Sequence, residues 1–443
     1  MHHDLNLAVP DSPGQSAYLP LLGSVLAALV GGGRLTVIDS QGRQSTFGDT
    51  AEGPEVIVRF HRARLPLLIA LNPARALGEA YMDGTLTIEA GDLRDLLALV
   101  TRNIGALDRH PLQSARTWLA SRLRRFVTRN DPERSRSNVA HHYDLSATLY
   151  DFFLDTDHQY SCAYFTRPGS SLEQAQAAKK RHIAAKLLLS PGQRVLDIGS
   201  GWGGLAIDLA RDYDVDVTGI TLSDEQLRYA RRRAEQAGLS DRVRFELMDY
   251  RSVSGRFDRI VSVGMFEHVG ARNFGEFFAK VTDLLAPNGV ALLSAIGRMA
   301  PPTTPNSWID KYIFPGGYIP SLSETLAAIE PTGLWLTDIE ILRIHYADTL
   351  KIWFDRFEAH RPEAVALYGE RFCRMWEFYL AGCEMLFRNG PLMVFHIQLA
   401  HLRDAVPLTR DYITDFDRRA ERRAASRRTS DRRPVTAPAE PVA

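Results

Sequence analysis

A glycine-rich segment follows an apolar run at residues 195–204, which read VLDIGSGWGG. Gly199, Gly201 and Gly204 have the spacing G-x-G-x-x-G, which lets a strand–turn–helix backbone approach a nucleotide closely. Asp197 lies two positions before the first of these glycines, at the end of the apolar run. The spacing therefore predicts a nucleotide site at the carboxyl end of a parallel strand.

The positions of nearby acidic residues distinguish two kinds of nucleotide. A dinucleotide site needs an acid about 20 residues on, at the end of the second strand, for the ribose hydroxyls. That strand ends here at Thr221, whereas Asp214 and Asp216 lie at its beginning. Asp197 is instead placed to order the glycine turn beside a cationic amine, and Asp249, after the third strand, to accept a hydrogen bond from an adenine amino group. The pattern favours S-adenosylmethionine over NAD.

Strands and helices alternate in the sequence from residue 194 onward. The segments that predict strands are RVLDIG, DVTGIT, RVRFELMD, DRIVSVGM, VALLSAIG and LMVFHIQLA. The segments that predict helices are GGLAIDLARDY, SDEQLRYARRRAEQAG and NFGEFFAKVTDLLAPNG, which should end at Asn288-Gly289, and further stretches between Asp348 and Arg388. This alternation predicts an α/β fold with a doubly wound parallel sheet and helices on both faces.

Residues 15–105 predict a separate, small α+β domain without a catalytic cluster. A helix over Leu21 to Val30 precedes an alternating hairpin, the strand EVIVRF, and then a helix, a turn, a short strand and a second helix. Residues 106–137 join this domain to the rest and contain SARTWLASRLRRFVTRN. This segment predicts a basic amphipathic helix, which could lie on an anionic bilayer or form a solvated linker.

The composition limits the classes of protein that the chain can belong to. It has 443 residues, a formal net charge of zero and three cysteines, Cys162, Cys373 and Cys383. The cysteine spacings fit neither a metal site nor a disulfide framework. The sequence shows no signal-peptide pattern and no apolar run long enough to span a bilayer, so we expect a cytoplasmic protein. Residues 1–14 and the Arg-rich tail 417–443 should be flexible.

Seven segments together resemble the cyclopropane fatty acid synthase family, which includes the mycolic acid cyclopropane synthases. In chain order they are NVAHHYDLSATLYDFFLD, YSCAYF, VLDIGSGWGGLA, GITLSDEQ, FDRIVSVGMFEHVG, KYIFPGGYIPSL and YLAGCEMLFR. They extend over more than half of the chain, from about residue 138 to residue 390. The resemblance implies a class I, Rossmann-like methyltransferase domain over residues 138–416. It also implies that the N-terminal domain is similar to the small lipid-associated domain of members that act on phospholipids.

The resemblance implies which residues bind S-adenosylmethionine. In the family the site is built from a tyrosine–serine pair, the glycine turn and the ends of the second and third strands. The corresponding residues here, with Asp197 added from the motif, are Tyr160, Ser161, Asp197, Gly199, Gly201, Thr221, Gln226, Asp249 and Tyr250.

The reaction that the resemblance implies is transfer of the sulfonium methyl group to a cis double bond in an acyl chain of membrane phospholipid, followed by closure of a cyclopropane ring. An alkene is a poor nucleophile and the intermediate is a buried carbocation, so the site needs a dry apolar channel, aromatic faces and a base. The aromatic candidates are Phe165, Phe266, Trp308, Tyr312, Phe314, Tyr318 and Trp353. Of these we predict that Phe266, Tyr312, Phe314 and Tyr318 line the channel.

A bound bicarbonate ion is thought to act as the base in the family. The residues that resemble its cage are Cys162, Glu267, Ser294, the backbone of Ile296, and Tyr346. Glu267 lies in GMFEHVG, just after the fourth strand, where ligands bind in such sheets. Cys383 in LAGCEMLFR corresponds to a cysteine proposed as catalytic. An alkene that attacks directly needs no thiol, and a helix cysteine also behaves as a small apolar residue.

One position departs from the family pattern. LLSAIG places Ser294 where the family commonly has a histidine. A serine hydroxyl donates one hydrogen bond to an anion but carries no positive charge, so the cage could hold bicarbonate through its other members, or water instead. Proton loss from another position would give a methylene- or methyl-branched chain. The sequence therefore supports methyl transfer more strongly than ring formation.

Two other classes of function stay open at the level of sequence. A lipid-binding protein with a degenerate site would bind lipid without turning over a methyl donor, and Tyr160, Glu267 and Tyr346 argue against it. An NAD-dependent oxidoreductase is disfavoured by Thr221. We expect peripheral association with the inner face of a membrane, no nucleic-acid partner and no metal. Family members are often homodimers, which the sequence does not decide.

Overall fold

The computed structural model describes residues 19–49, 53–105, 147–416 and 418–419. Within these ranges the chain forms a small N-terminal unit and a large unit. The predicted basic helix in residues 106–137, the terminus 1–14 and nearly all of the tail 417–443 lie outside the described residues. Among the described helices, none is both long and apolar enough to cross a bilayer.

The small unit is a four-stranded sheet with helices packed against it. Its elements are α1 (Leu19–Leu29), β1 (Gly33–Ile38), β2 (Gln44–Asp49), β3 (Glu55–Phe60), α2 (Leu65–Leu71), α3 (Pro73–Met82), β4 (Leu86–Ala90) and α4 (Leu93–Arg102). The strand order is β2-β1-β3-β4, with β1 antiparallel to β2 and parallel to β3. The predicted hairpin and the predicted order of helix, turn, strand and helix are confirmed.

The large unit contains a seven-stranded sheet and ten helices within the described range 147–416. Its strands are β5 (Arg194–Ile198), β6 (Asp216–Thr221), β7 (Val243–Leu247), β8 (Phe257–Val263), β9 (Leu285–Arg298), β10 (Trp335–Ile341) and β11 (Leu392–Ala400). Its helices are α5 (Ala147–Asp151), α6 (Leu172–Leu187), α7 (Gly204–Tyr213), α8 (Asp224–Gln236), α9 (Phe274–Leu284), α10 (Ser307–Tyr312), α11 (Leu322–Ile329), α12 (His345–Ala359), α13 (Arg361–Tyr368) and α14 (Glu370–Asn389).

The strand order in the large sheet is β10-β11-β9-β8-β5-β6-β7. Strands β5 to β9 are parallel, whereas β11 is antiparallel to both of its neighbours. The order reverses at β5, and ligands bind in such sheets at the carboxyl ends of the strands beside this switch point. The predicted doubly wound α/β fold is confirmed, and the switch point places the VLDIGSGWGG motif at the ligand-binding edge.

Two local predictions were wrong. The edge strand β10 was not predicted, because none of its seven residues is fully buried and its sequence, WLTDIEI, has no continuous apolar run. The helix α9 ends at Leu284 instead of at Asn288-Gly289. The chain enters β9 directly at Leu285, and the Asn-Gly pair lies where the register between β8 and β9 shifts.

Polar contacts from the long helix α14 join the two units. The Tyr81 hydroxyl donates to Glu377 Oε2 at 2.7 Å, and Arg94 Nη2 donates to Glu384 Oε1 at 2.6 Å. Both glutamates are buried, so each depends on a charge-assisted hydrogen bond to offset the loss of hydration. These contacts hold α3 and α4 of the small unit against the helical layer of the large unit.

Candidate active site

A cleft opens at the carboxyl ends of β5, β6 and β8. All nine residues predicted to bind the cofactor line it, which are Tyr160, Ser161, Asp197, Gly199, Gly201, Thr221, Gln226, Asp249 and Tyr250. These residues come from four separate segments of the chain, 160–161, 197–201, 221–226 and 249–250. The fold therefore brings the predicted set into a single cavity.

The glycine turn has a backbone that only glycine adopts without strain. Gly199 has φ +87°, and a Cβ atom there would lie 2.7 Å from the Cβ of Met265. The amides of Gly199 and Ser200 both donate to the carbonyl of Ile220, at 3.0 and 2.9 Å. The turn is thus bonded to β6, and it leaves a concave backbone surface toward the cleft.

Asp197 is a buried carboxylate with one unsatisfied oxygen. Its side chain is 2% exposed, and Oδ2 has no hydrogen-bond partner in the described part of the chain. Burial raises the pKa of Asp197 to about 7, and the Lys179 ammonium opposes this increase. A buried, unsatisfied carboxylate in a cleft is typical of a site that receives a cation. The amine of an amino-acid moiety would meet this requirement.

Polar side chains at the ends of the second and third strands face the cleft, and the carboxylate among them, Asp249, is already hydrogen-bonded. Thr221 Oγ1 donates to Gln226 Oε1 at 2.9 Å, at the start of α8. Asp249 accepts three hydrogen bonds from Arg251, two on Oδ1 and one on Oδ2. Burial alone would raise the pKa of Asp249, but these bonds lower it below its usual value. A carboxylate has about four acceptor positions, so one remains for an adenine amino group.

Sequence reasoning missed Lys179, which also lines the cleft. Its Nζ donates to Gln159 Oε1 at 2.6 Å and to Ser161 Oγ at 2.9 Å. Burial lowers the pKa of Lys179 to about 8, although nearby Asp155 opposes the decrease. A signal was present in the sequence, because Lys179, His182 and Lys186 recur at the spacing of one helix face among alanines.

The rest of this polar stripe on α6 forms an ion network. His182 Nε2 and Lys186 Nζ lie 2.7 and 2.6 Å from Glu340 Oε2. Burial favours the neutral form of Glu340, but these two cationic partners hold its pKa below the usual range. His182, Glu340 and His396 place ligand atoms within 4.8 Å of one another. Because Lys186 already neutralises the carboxylate, we interpret the group as a network that joins α6 to β10.

Glu267 has the geometry of a reactive carboxyl group. It lies just after β8, and its Oε1 accepts a hydrogen bond of 2.6 Å from the backbone amide of Ile296 on β9. Its Oε2 is buried and has no partner among the described residues. Burial raises the pKa of Glu267 to about 7, and the Ile296 amide opposes the increase. The free oxygen and the shifted pKa together indicate a group that can exchange a proton near neutral pH.

Other members of the predicted anion cage share one apolar cluster or pack against it. Cys162 and Tyr346 belong to the same apolar cluster, and Ile296 packs against it. The backbone of Ile296, predicted as part of this cage, donates its amide hydrogen to Glu267, another predicted member. Burial raises the pKa of the Cys162 thiol, so the thiol stays protonated, and it donates to the Ala163 carbonyl at 3.3 Å. Ser294 and Tyr346 contribute neutral hydroxyl groups to the predicted cage, and both residues are buried.

Ser294 is buried on β9 and is paired in register with His396 of β11. Directly opposed residues of antiparallel strands have side chains on the same face, about 5 Å apart at Cβ. Burial lowers the pKa of His396 well below its usual value, so this imidazole is neutral at physiological pH. Ser294, which stands where the family commonly has a histidine, therefore lies beside the neutral imidazole of His396 on the adjacent strand.

A second cavity extends from the core of the small unit to α14. Helix α1 lines it with Leu22 and Leu26, α4 with Leu97 and Val100, and α14 with residues that include Tyr379. Its lining is almost entirely apolar. Apart from Trp, Tyr and Cys side chains, the described lining residues include two polar ones, Thr101 and Asn306. We refer to it as the apolar cavity.

The hydroxyls of two tyrosines connect the walls of the two cavities. Tyr160 lines the cleft, Tyr379 lines the apolar cavity, and their oxygens are 2.8 Å apart. Tyr160 also stacks against Trp353, with ring centroids 5.2 Å apart, and Trp353 meets Tyr346 edge to face at 5.9 Å. An aromatic wall therefore stands where the two cavities approach each other.

The four predicted channel aromatics do not line the apolar cavity. Phe266 and Tyr318 belong to a different core cluster, on the opposite face of β9 from Ile296. Tyr312 and Phe314 pack behind the wall, where Phe314 meets Tyr379 edge to face at 5.9 Å. The aromatic candidate that does line the cavity is Trp308, together with Phe378 and Tyr379. Aromatic residues fill every core of this protein, so their type alone could not assign them to one.

Cys383 lies on the wall of the apolar cavity and is half-buried. Burial raises the pKa of its thiol to about 12. A thiol with this pKa is protonated at neutral pH and is a poor nucleophile. Its surroundings favour the structural interpretation of this cysteine over the catalytic one.

The fold and the cleft define the protein as an S-adenosylmethionine-dependent methyltransferase of class I. A seven-stranded sheet with this order and a glycine turn without a ribose-binding acid characterise the site. The chain belongs to the family described as mycolic acid cyclopropane synthetase, which matches residues 130–397. Residues 34–109 match a second family, a domain of unknown function.

Individual relatives support this assignment. The cyclopropane-fatty-acyl-phospholipid synthase of Escherichia coli K12 is 41% identical over 321 residues, which cover 72% of this chain and 81% of that protein. A probable fatty acid methyltransferase of Pseudomonas putida is 37% identical over 353 residues, covering 77% and 86%. The structure of the mycolic acid cyclopropane synthase CmaA1 complexed with SAH and CTAB has a TM-score of 0.57 and 35% identity, and covers 60% of this chain and 97% of that one.

Proposed function

We propose that this enzyme transfers the methyl group of S-adenosylmethionine to a cis double bond of an unsaturated acyl chain in phospholipid and closes a cyclopropane ring. One observation carries the proposal: an apolar cavity adjoins the cofactor cleft across the hydroxyl pair of Tyr160 and Tyr379. A hydrocarbon chain fits the apolar cavity, and a sulfonium methyl group would meet it at this junction. The printed names of the Escherichia coli and Pseudomonas putida relatives are consistent with a fatty acyl substrate.

The chemistry requires only the methyl donor and the alkene. The π electrons of the double bond form a bond to the methyl carbon, while the carbon–sulfur bond breaks and leaves its electron pair on sulfur. The adjacent chain carbon becomes a carbocation. Loss of a proton from the transferred methyl group, with bonding of that carbon to the cationic centre, gives the ring. The chain gains one CH₂ and one proton is released.

The walls of the junction suit a short-lived cation. The rings of Tyr160 and Tyr346 both lie within 6 Å of the Trp353 ring, measured between ring centres. Aromatic quadrupoles attract a cation, and the attraction is stronger where water is excluded. All three side chains belong to or pack against one apolar cluster, so the cation would form away from water, which would otherwise capture it.

The proton has two possible acceptors. Glu267 has a free carboxyl oxygen, and burial raises its pKa to about 7, so both its neutral and its ionised form are accessible near neutral pH. A bicarbonate ion is the second candidate acceptor, and the hydroxyl groups of Ser294 and Tyr346 would donate hydrogen bonds to it. When bound, bicarbonate would supply a base close to the transferred methyl group. In either case Glu267 orients or accepts the proton that leaves.

Ser294 supports a second candidate product. A hydride shift along the chain before proton loss would place the cation on the methylated carbon, and loss of a methyl proton would then give a methylene-branched chain. Serine offers no positive charge to hold an anionic base in place, so ring closure would be slower relative to the shift. The ring and the methylene group add the same mass.

Proton NMR of the lipid product separates the two outcomes. Purified enzyme is incubated with S-adenosylmethionine and dioleoyl phosphatidylglycerol, with and without added bicarbonate. We expect cyclopropane protons far upfield, and a decrease of that signal when bicarbonate is removed. Exomethylene signals in the alkene region would establish the second candidate. Absence of any methylated lipid would refute the proposed function.

A further inference from the structure

Helix α2 of the small unit exposes apolar side chains on one face. Leu68 is 51% exposed and Leu71 is 53% exposed, and residues three apart lie on the same face of a helix. The adjoining face of the same helix contains Leu65 and Ile69, which are buried. Single exposed leucines are common on soluble proteins, but two on one short helix whose sequence is LPLLIAL form a contiguous apolar surface.

Cationic side chains adjoin this surface. Arg62 is exposed and Arg64, directly before α2, is half-buried. Neither forms an ion pair with any residue in the described ranges. By contrast, the next arginine, Arg75, is paired with Glu79 at 3.0 Å. Two unpaired arginines beside exposed leucines are typical of helices that lie in the interface of an anionic bilayer.

The same helix lies beside the apolar cavity. Ile69, on the inner face of α2, lines the cavity, and so do the half-buried Pro73 and Ala74 that follow the helix. Across the gap between the units, the Ser307 hydroxyl donates to Asn72 Oδ1 at 3.2 Å, and the exposed Asn306 also lines the cavity. Lining residues that keep contact with solvent mark the place where a cavity opens. The opening thus lies next to the exposed leucines.

We propose that α2 docks on a bilayer that contains anionic phospholipid, with Leu68 and Leu71 inserted among the acyl chains and Arg62 and Arg64 at the headgroups. An acyl chain then enters the apolar cavity between the end of α2 and the start of α10 without crossing water. This inference rests on the proposed function, because it names the route by which a membrane lipid reaches the junction of the two cavities.

The test is co-sedimentation of the full chain with vesicles made of equal amounts of dioleoyl phosphatidylcholine and dioleoyl phosphatidylglycerol. We expect L68S/L71S to bind roughly tenfold or more weakly, because two partly exposed leucines lose their burial in the bilayer. The matched control is Leu367→Ser, which changes a leucine of the large unit that is 59% exposed. L68F/L71F keeps an apolar surface and should bind vesicles like the wild type. R62Q/R64Q should weaken binding to these vesicles but not to pure phosphatidylcholine.

Further measurements distinguish the possible failures. L68S/L71S should keep wild-type affinity for S-adenosylhomocysteine and wild-type turnover of detergent-dispersed oleoyl lipid, while turnover in vesicles falls. Unchanged vesicle binding by L68S/L71S would overturn the docking proposal. So would loss of a dimer in this variant without a change in vesicle binding, since α2 would then contact a second copy of the chain. If the wild type binds vesicles through α2 but methylates no lipid, the proposed function fails and the docking surface stands.

Discussion

Replacing Glu267 with glutamine should stabilise the protein at alkaline pH relative to the wild type while it removes activity. Burial raises the pKa of Glu267 from an ordinary 4.5 to about 7 in the folded protein. A carboxyl group whose folded pKa lies above its unfolded pKa contributes stability at low pH and loses it as the pH rises through the folded pKa. The wild type should therefore lose stability between pH 4.5 and pH 7, and the amide should not.

The size of the effect follows from the two pKa values. Between pH 5 and pH 8 the contribution of Glu267 to the free energy of unfolding should fall by about 2.5 kcal/mol. This follows because the logarithm of the ratio of the two ionisation factors, folded and unfolded, changes by almost two, at about 1.36 kcal/mol per unit. Asp197 has a similarly raised pKa but is present in both proteins, so its contribution cancels from the comparison. The activity should fall by about 10²- to 10⁴-fold, the usual contribution of a positioned acid or base.

The assay is urea unfolding of the wild type and E267Q at pH 5 and at pH 8, with product formation measured on the same samples. The control is Glu363→Gln, which changes an exposed glutamate on α13 and should unfold in parallel with the wild type at both pH values. If E267Q and the wild type share one pH dependence, Glu267 ionises normally and the argument from burial is refuted. If E267Q closes the ring at the wild-type rate, Glu267 has no part in proton transfer.

Three further predictions concern the two cavities. Binding of S-adenosylmethionine should weaken as the pH falls through about 7, because Asp197 gains a proton and loses its charge; calorimetry should show no such dependence in D197N, and parallel profiles would contradict the assignment. Val100→Trp should reduce turnover of oleoyl lipid at least roughly tenfold without changing affinity for S-adenosylhomocysteine, because the indole occupies the apolar cavity; unchanged turnover would place the acyl chain elsewhere. Cys383→Ala should keep near-wild-type turnover, because the thiol pKa of about 12 leaves no thiolate; loss of activity would restore a catalytic role.

Features that depend on neighbouring residues in the chain could be predicted from the sequence. The glycine turn was predictable because Gly199 needs a positive φ and lies between a strand and a helix that the local pattern already indicates. The missing acid at Thr221 argued against NAD because the end of β6 is visible in the same pattern. Asp197, Thr221 and Asp249, predicted at or just after strand ends, line the cleft because parallel strands bring their carboxyl ends to one edge. Tyr160 and Ser161, which the family resemblance implied, line it as well.

Contacts between segments that are far apart in the chain could not be predicted from the sequence. The backbone of Ile296 was predicted to belong to the anion cage, but the hydrogen bond from its amide to Glu267, 29 residues away, was not predicted. Phe266 and Tyr318 were predicted as channel residues, but the alternation of β9 assigns them to the opposite face of the sheet. Their residue type was correct for a channel and equally correct for a core.

The sequence by itself determined the class of chemistry, because the turn, the strand ends and the polar residues beside them form from short segments whose geometry is local. Only the tertiary structure decided where the hydrocarbon can go. The apolar cavity is built from leucines and valines of two separate units, which carry no chemical signal individually. Its link to the cofactor cleft is the bond between Tyr160 and Tyr379, which are 219 positions apart and meet only when α14 packs against both units.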